Sequence, residues 1–334
     1  MNDFDVPVVL FLFKRIDKSV EIIRQISKVK PMRIYLLSDA GRNDSEQKLV
    51  EECRRLVESE ITWECEIVRK YATENIGVFG NIAEGARWVF EQESFAIFLE
   101  DDNLPELTFF QFCKEMKDRY ENEERILWVC GTNYLKSYEP ENGASYVITK
   151  NMMPCGWASW SKKFLKYYDG ELKLYQDVYL RERVRHEYRS EKLYIQDTYN
   201  LKYELEHKLL NGRFYSWDYQ MSFSIRVHNL FAIVPKYNQI KNIGIDDDST
   251  HGGSDSTDLM LKRFCNLDTK PMVFPLIHPK SLLIDLKFED AVSDIIVDPR
   301  FFSLKAKASR LIRDKLNLGL TKSLLYSLKE RFMR

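Results

Sequence analysis

Short apolar stretches separated by polar turns pattern the first 130 residues. Pro7-Val8-Val9-Leu10-Phe11-Leu12-Phe13, Met32-Arg33-Ile34-Tyr35-Leu36-Leu37, Phe95-Ala96-Ile97-Phe98-Leu99 and Ile126-Leu127-Trp128-Val129-Cys130 have the length of buried strands and are too short for typical helices. Trp63 to Val68 alternates, as a strand with one wet face does. Helical patterns lie between them. Asp17 caps one that buries Val20, Ile22, Ile23 and Ile26, and Asn43 or Asp44 caps a second that runs to about Ser59. A third ends near Glu91, and a fourth spans Leu107 to Tyr120. Strands alternating with helices predict βαβ units, hence an α/β fold with a mainly parallel, Rossmann-like sheet and helices on both faces.

The rhythm changes after Tyr134. Tyr138 to Ser145 is a polar loop, and Leu172 to Leu210 is long, charged and mostly helical, which predicts an insertion over about 172–210. Phe214 to Val227 resumes a helical pattern, and Phe231-Ala232-Ile233-Val234 is a last strand. Met272 to Ile296 is apolar, proline-interrupted and fits no element. The expected division is one domain over 1–300 (a nucleotide and metal half, 1–135; an acceptor half, 136–260) and a separate tail over 301–334.

That tail alters the charge picture. The whole chain is near neutral at −1, which gives no pull towards nucleic acid. From Lys305 onward, however, nine basic residues face two acids, a local charge of +7. Leu304, Ala308, Leu311, Ile312 and Leu316 recur at helical spacing. A basic amphipathic helix suits an anionic membrane surface. The plainer reading is a helix packed on the body with a solvated basic face. No stretch is long enough to span a bilayer, and the short first apolar run follows Asp3 and Asp5, unlike a secretory leader. Six scattered cysteines without CxxC spacing argue against a zinc site or a disulfide framework. The expectation is a cytoplasmic protein, peripheral at most on the inner face of a membrane.

The chemistry centres on Glu100-Asp101-Asp102, directly after an apolar strand. Three adjacent carboxylates repel one another, and a divalent cation would gather them. Hard oxygen donors favour Mg²⁺ or Mn²⁺, completed by substrate phosphates. The alternative is a solvated acidic turn. Three other strand ends precede it. In Phe13-Lys14-Arg15 a cation can meet a phosphate and an aromatic can face a base. In Ser38-Asp39-Ala40 a carboxylate can accept from a nucleobase or ribose. In Asn75-Ile76-Gly77 a glycine allows close backbone approach.

This ordered set resembles the GT-A fold of nucleotide-sugar-dependent glycosyltransferases. Glu100-Asp101-Asp102 is similar to the D-x-D-type metal motif, closest in form to the Glu-Asp-Asp of the N-acetylglucosaminyltransferase I type and bacterial relatives. Asn75-x-Gly77 with Asn81 is similar to the Asn-x-Gly…Asn loop that precedes that motif. The resemblance implies a nucleotide-sugar donor (a UDP-sugar first) and a glycan or lipid-linked acceptor. It also implies Phe13, Arg15, Asp39, Asn75, Gly77, Asn81 and Asp101 at the nucleotide, and Asp102 on Mn²⁺ or Mg²⁺, with Asp101 contacting the ribose or the metal. His251, in the Gly/Asp/Ser loop from Asn242 to Ser256, would be a second metal or phosphate contact, or else a plain surface histidine.

Asp218, in Ser216-Trp217-Asp218-Tyr219-Gln220 near a helix start, is the implied base of an inverting displacement. An acid there would also complement a helix dipole. Gly156, Trp157 and Trp217 are assigned to donor or acceptor sugar, against the alternative that the tryptophans are core aromatics on a short strand or turn. The expected function is metal-dependent glycosyl transfer in surface-glycan synthesis. A sugar-phosphate nucleotidyltransferase would normally carry a Gly-rich loop after the first strand, which Phe13-Lys14-Arg15-Ile16-Asp17 lacks. A non-catalytic scaffold of the same fold is the third expectation.

Overall fold

The computed structural model describes residues 4–245 and 263–332. Among these, the strands in chain order are β1 (Val8–Leu12), β2 (Arg33–Ser38), β3 (Glu66–Tyr71), β4 (Phe95–Glu100), β5 (Asn103–Pro105), β6 (Ile126–Cys130), β7 (Tyr146–Thr149), β8 (Trp157–Trp160), β9 (Phe231–Pro235) and β10 (Ile240–Asn242). Eight build one sheet in the order β3-β2-β1-β4-β8-β6-β9-β7, and β5 pairs with β10 apart from it. Within the large sheet, β8 and β7 run antiparallel to their neighbours and the other pairings are parallel.

The helices are α1 (Ile16–Ile26), α2 (Asp44–Ser59), α3 (Gly85–Phe90), α4 (Thr108–Tyr120), α5 (Ser161–Tyr167), α6 (Val178–Arg183), α7 (Glu191–Asn211), α8 (Asp218–Val227), α9 (Leu286–Ile296), α10 (Leu304–Leu316) and α11 (Leu324–Phe332). They cover both faces of the sheet. Val8, Leu10 and Leu12 share one core with Ile23 of α1, Val57 of α2 and Phe112 of α4. Val9 and Phe11 share the other with Phe90 of α3, Phe164 of α5, Phe223 of α8 and Phe288 of α9. Because both faces are covered, these strands read as continuous apolar runs instead of alternating. Each such side chain contributes ~1.5–3 kcal/mol on burial.

The α/β expectation and the helical insertion hold, with local corrections. β3 begins at Glu66, not Trp63. The Trp63 indole N–H donates instead to the Pro31 carbonyl at 3.0 Å, and β3 lies half-exposed on the sheet edge. β5, β7 and β10 were not expected, being only three or four residues each, and β8 is the short strand that stood as the alternative reading of Trp157. The unassigned segment holds α9, whose N-terminus is capped by Asp285 accepting from the Phe288 N–H at 3.0 Å. Among the described residues no helix is long and apolar enough to cross a membrane.

Candidate functional site

Because β3, β2, β1 and β4 are parallel neighbours, the turns that follow them open on one sheet edge. This gathers the expected nucleotide residues. β2 delivers Asp39, whose carboxylate is buried and accepts from the Ala40 and Ile76 N–H groups at 2.8 Å each, the Gly77 N–H at 2.9 Å and Asn75 Nδ2 at 3.0 Å. Burial raises its pKa, and the three backbone donors partly offset this. Gly77 sits at φ +73°, which favours glycine, and Arg213 Nη1 would lie 3.2 Å from any Cβ there. The same guanidinium donates to the Asn75 carbonyl at 3.1 Å. The Asp39–Asn75–Gly77 grouping is therefore real, but its carboxylate is saturated by the loop it holds. Arg54 of α2 locks the two strand ends together, donating to Ser38 Oγ at 2.9 Å, the Asp39 carbonyl at 3.1 Å and the Ala72 carbonyl at 3.3 Å.

Asn81 stands apart from that cluster. It lies in a π-helical turn over Phe79–Glu84 and lines a cavity of about 290 Å³ with Lys70, Tyr71, Thr73 and Ile76. A larger groove of about 660 Å³ lies between α1 and α2, and its lining includes none of the candidate residues. Phe13 is half-buried, with the Arg42 guanidinium 5.8 Å from its ring centre.

β4 delivers the acids. Asp101 and Asp102 converge on one guanidinium nitrogen: Arg15 Nη1 lies 2.7 Å from Asp102 Oδ2 and 3.2 Å from Asp101 Oδ1. Asp102 Oδ1 accepts from Asn103 Nδ2 at 2.6 Å, and Asn103 Oδ1 accepts from the Gly156 N–H at 2.7 Å. Asn103 is fully buried and positions Asp102. Gly244, beyond β10, presses on the same carboxylate: a Cβ there would lie 2.3 Å from Asp102 Oδ2.

Burial drives the Asp101 pKa up to about 7, opposed by Arg15, and Asp102 adds to the rise. Glu100 keeps some accessible surface, yet its carboxyl is pushed well above the ordinary range, first by burial, then by Asp102, Asp101 and Asp218. Arg15 opposes the rise that burial and the three neighbouring carboxylates impose on Glu100.

Asp218 is the third of these carboxylates, and it arrives from more than a hundred residues away at the first position of α8. Ser216 Oγ donates to its Oδ1, leaving Oδ2 for another partner. The approach is shaped by Glu204 of α7, fully buried, whose Oε2 accepts from the Tyr215 and Ser216 N–H groups at 2.9 and 3.1 Å. Sequence reading missed Asn103, Arg54, Glu204, Arg213 and Gly244. Only Asn103, directly after the acids, carried any signal.

The sugar-facing expectation for the tryptophans fails. Trp157 is 1% exposed, stacked between Phe98 (centroids 4.0 Å apart) and Trp128 (4.1 Å), and Trp217 packs beside both and is 4% exposed. With both faces covered, the Trp157 indole has no surface to offer a sugar. Gly156 adopts φ +61° because the chain packs against β10: a Cβ would lie 2.5 Å from Ile240. His251 lies outside the described residues.

The donor set fits a divalent cation in kind, since two hard carboxylates already converge on a cationic group, but that group is Arg15, which must withdraw to admit a metal. No group of three or more His, Cys, Asp or Glu side chains arranged for a metal ion occurs among the described residues.

Fold and site together define a mainly parallel α/β protein with an acid cluster on the carboxyl edge of its sheet. No family model matches the chain, and no curated protein matches it. Solved structures to which the chain is similar include HddC from Yersinia pseudotuberculosis (15% identity, 34% of this chain, TM-score 0.25). They also include apo UDP-glucose pyrophosphorylase (6%, 71%, TM-score 0.35) and that enzyme with UDP-glucose (6%, 71%, TM-score 0.32). The chain spans 55% of HddC and 93% of each pyrophosphorylase chain. At these values the likenesses carry no argument about chemistry, which rests on the site itself.

Proposed function

We propose that the protein transfers a glycosyl group from a nucleotide-sugar to a hydroxyl acceptor, with inversion at the anomeric carbon. What supports the reading is that Asp218, at the first position of α8, carries a charge that helps to raise the Glu100 pKa, and that Ser216 engages only its Oδ1 among the described residues. In this reading the Asn75–Gly77 loop, buttressed by Asp39, and the turn over Phe13–Arg15 frame the nucleotide. Asp218 Oδ2 takes the acceptor's hydroxyl proton while the acceptor oxygen bonds to the anomeric carbon and the bond to the diphosphate breaks. Asp102 and Asp101 would hold Mn²⁺ or Mg²⁺, which when bound stabilises charge growing on the leaving diphosphate. Arg15, displaced from the acids, is then placed to meet a phosphate. The turn between β1 and α1 has only three residues and no glycine, which favours this reading over nucleotidyl transfer.

The test is a thermal-shift screen of nucleoside diphosphates and nucleotide-sugars with Mn²⁺ or chelator, followed by transfer assays on hits. Binding at about 100 times Kd should add roughly 2.7 kcal/mol of stability. Asp218→Asn should retain that shift and lose 10²–10⁴-fold in kcat, the typical contribution of a general base. Pyrophosphate release from a nucleoside triphosphate and a sugar phosphate would replace the proposal with nucleotidyl transfer. Absence of any shift in a cooperatively melting protein would leave a scaffold.

A further inference from the structure

The tail helix α10 is mounted the wrong way round for a soluble packing helix. Its arginines point inward. Arg313 is buried and donates to the Gly319 and Lys322 carbonyls, the latter at 2.8 Å. Arg310 donates to the Phe301 carbonyl at 2.7 Å and covers the Phe301 ring at 3.8 Å. The apolar stripe points outward, with Leu304 87%, Leu311 69% and Ile312 39% exposed, continued on α11 by Leu325 at 74% and Tyr326 at 51%. Exposed Lys305, Lys307, Lys315, Lys322 and Lys329 accompany it. The exposed face is thus mixed, apolar side chains interleaved with lysines, while the two arginines are engaged by neighbouring turns of the tail.

We infer that this face docks on an anionic lipid bilayer. Apolar side chains ringed by lysines match the two layers of such a surface: leucines for the acyl boundary, ammonium groups for the headgroups. The charge division agrees. With −1 in total and +7 in the tail, the rest of the chain carries −8. The tail is thus drawn to an anionic surface while the body is repelled from it, which orients the molecule. Two copies meeting through this face would bring like charges together, and nucleic acid offers leucines nothing. The inference goes beyond the proposed activity and does not depend on it.

Flotation of the full chain with vesicles decides it. Vesicles of phosphatidylcholine with about a quarter phosphatidylglycerol should carry the protein, and pure phosphatidylcholine should bind it at least tenfold less. Leu304→Ser with Leu311→Ser should weaken binding by about tenfold or more. Lys305→Gln with Lys307→Gln should weaken it by about fivefold per lysine and flatten its salt dependence. Both pairs are exposed, so the melting curve should not move, and an unchanged melt guards against misfolding. No flotation with anionic vesicles overturns the inference. So does full binding by the leucine double variant, which would leave only diffuse charge attraction. Self-association abolished by the leucine changes would assign the face to a second copy and overturn it equally.

Discussion

Two carboxylates end neighbouring parts of the same sheet and have opposite circumstances. Asp39, after β2, accepts four hydrogen bonds, three from the 75–77 loop and one from the Ala40 N–H. Asp102, after β4, shares one guanidinium with Asp101, inside a field of further acids. A carboxylate offers about four acceptor sites. Asp39 has filled them and acts as a fastener, whereas the acids after β4 raise one another's pKa against the pull of Arg15. Binding residues are better sought where electrostatics is left incomplete than where hydrogen bonding is complete.

The sharpest way to break this contrast is Asp39→Ala. It strips the partner from four donors at once and should cost on the order of 3–5 kcal/mol, read as a large fall in Tm without ligand. A mild effect would mean that the loop stands without its fastener.

Asp197 is the intermediate case. It is buried on α7, accepts from the Tyr188 hydroxyl at 3.1 Å, and has its pKa raised to about 6, first by burial, against the pull of Arg226. The folded state therefore holds this proton more tightly than the unfolded chain. Stability from this group is complete below about pH 4 and is lost as pH climbs through about 6. Asp197→Asn should remove a pH-dependent loss on the order of 2–3 kcal/mol across that window, measured by urea melts at several pH values. Parallel curves for the two proteins would refute the assignment.

Asp102→Asn should matter least to the fold. Removing one of several repelling charges should change unliganded stability by about 1 kcal/mol or less, while any Mn²⁺-dependent nucleotide shift disappears. A fall as large as that of Asp39→Ala would place both carboxylates in one structural class and erase the distinction.

The sequence exposed some of this and hid the rest for physical reasons. Strands covered on both faces announce themselves as apolar runs, so β1, β2, β4 and β6 and the edge they share were legible, and with them the grouping of Asp39 with Asn75 and Gly77. β8 was hidden because Gly156-Trp157-Ala158-Ser159-Trp160 is equally good as sugar-binding chemistry and as core. Only the stacking of Trp157 between Phe98 and Trp128 separates the two. The region of α7 showed no clean amphipathic stripe because the helix is engaged on two sides. Leu201 and Glu204 face the core and the Asp218 approach, while Tyr199 and Glu206 hold the tail and Gln196 holds Asp298 just before it. Periodicity cannot show a helix with two insides. In the tail the spacing marks a helix, but it could not show that the Gly319 and Lys322 carbonyls, from the turn that follows, capture Arg313.

That two-sided helix works as a clasp. Near the C-terminal end of α7, Glu204 fixes the residues that lead into Asp218, and two residues on Glu206 holds Leu320 and Thr321. The two attachment points lie only about 3 Å apart along the helix axis. A displacement of the tail would therefore be felt first at the turn before Asp218, and loosening that turn would free the tail in the same movement.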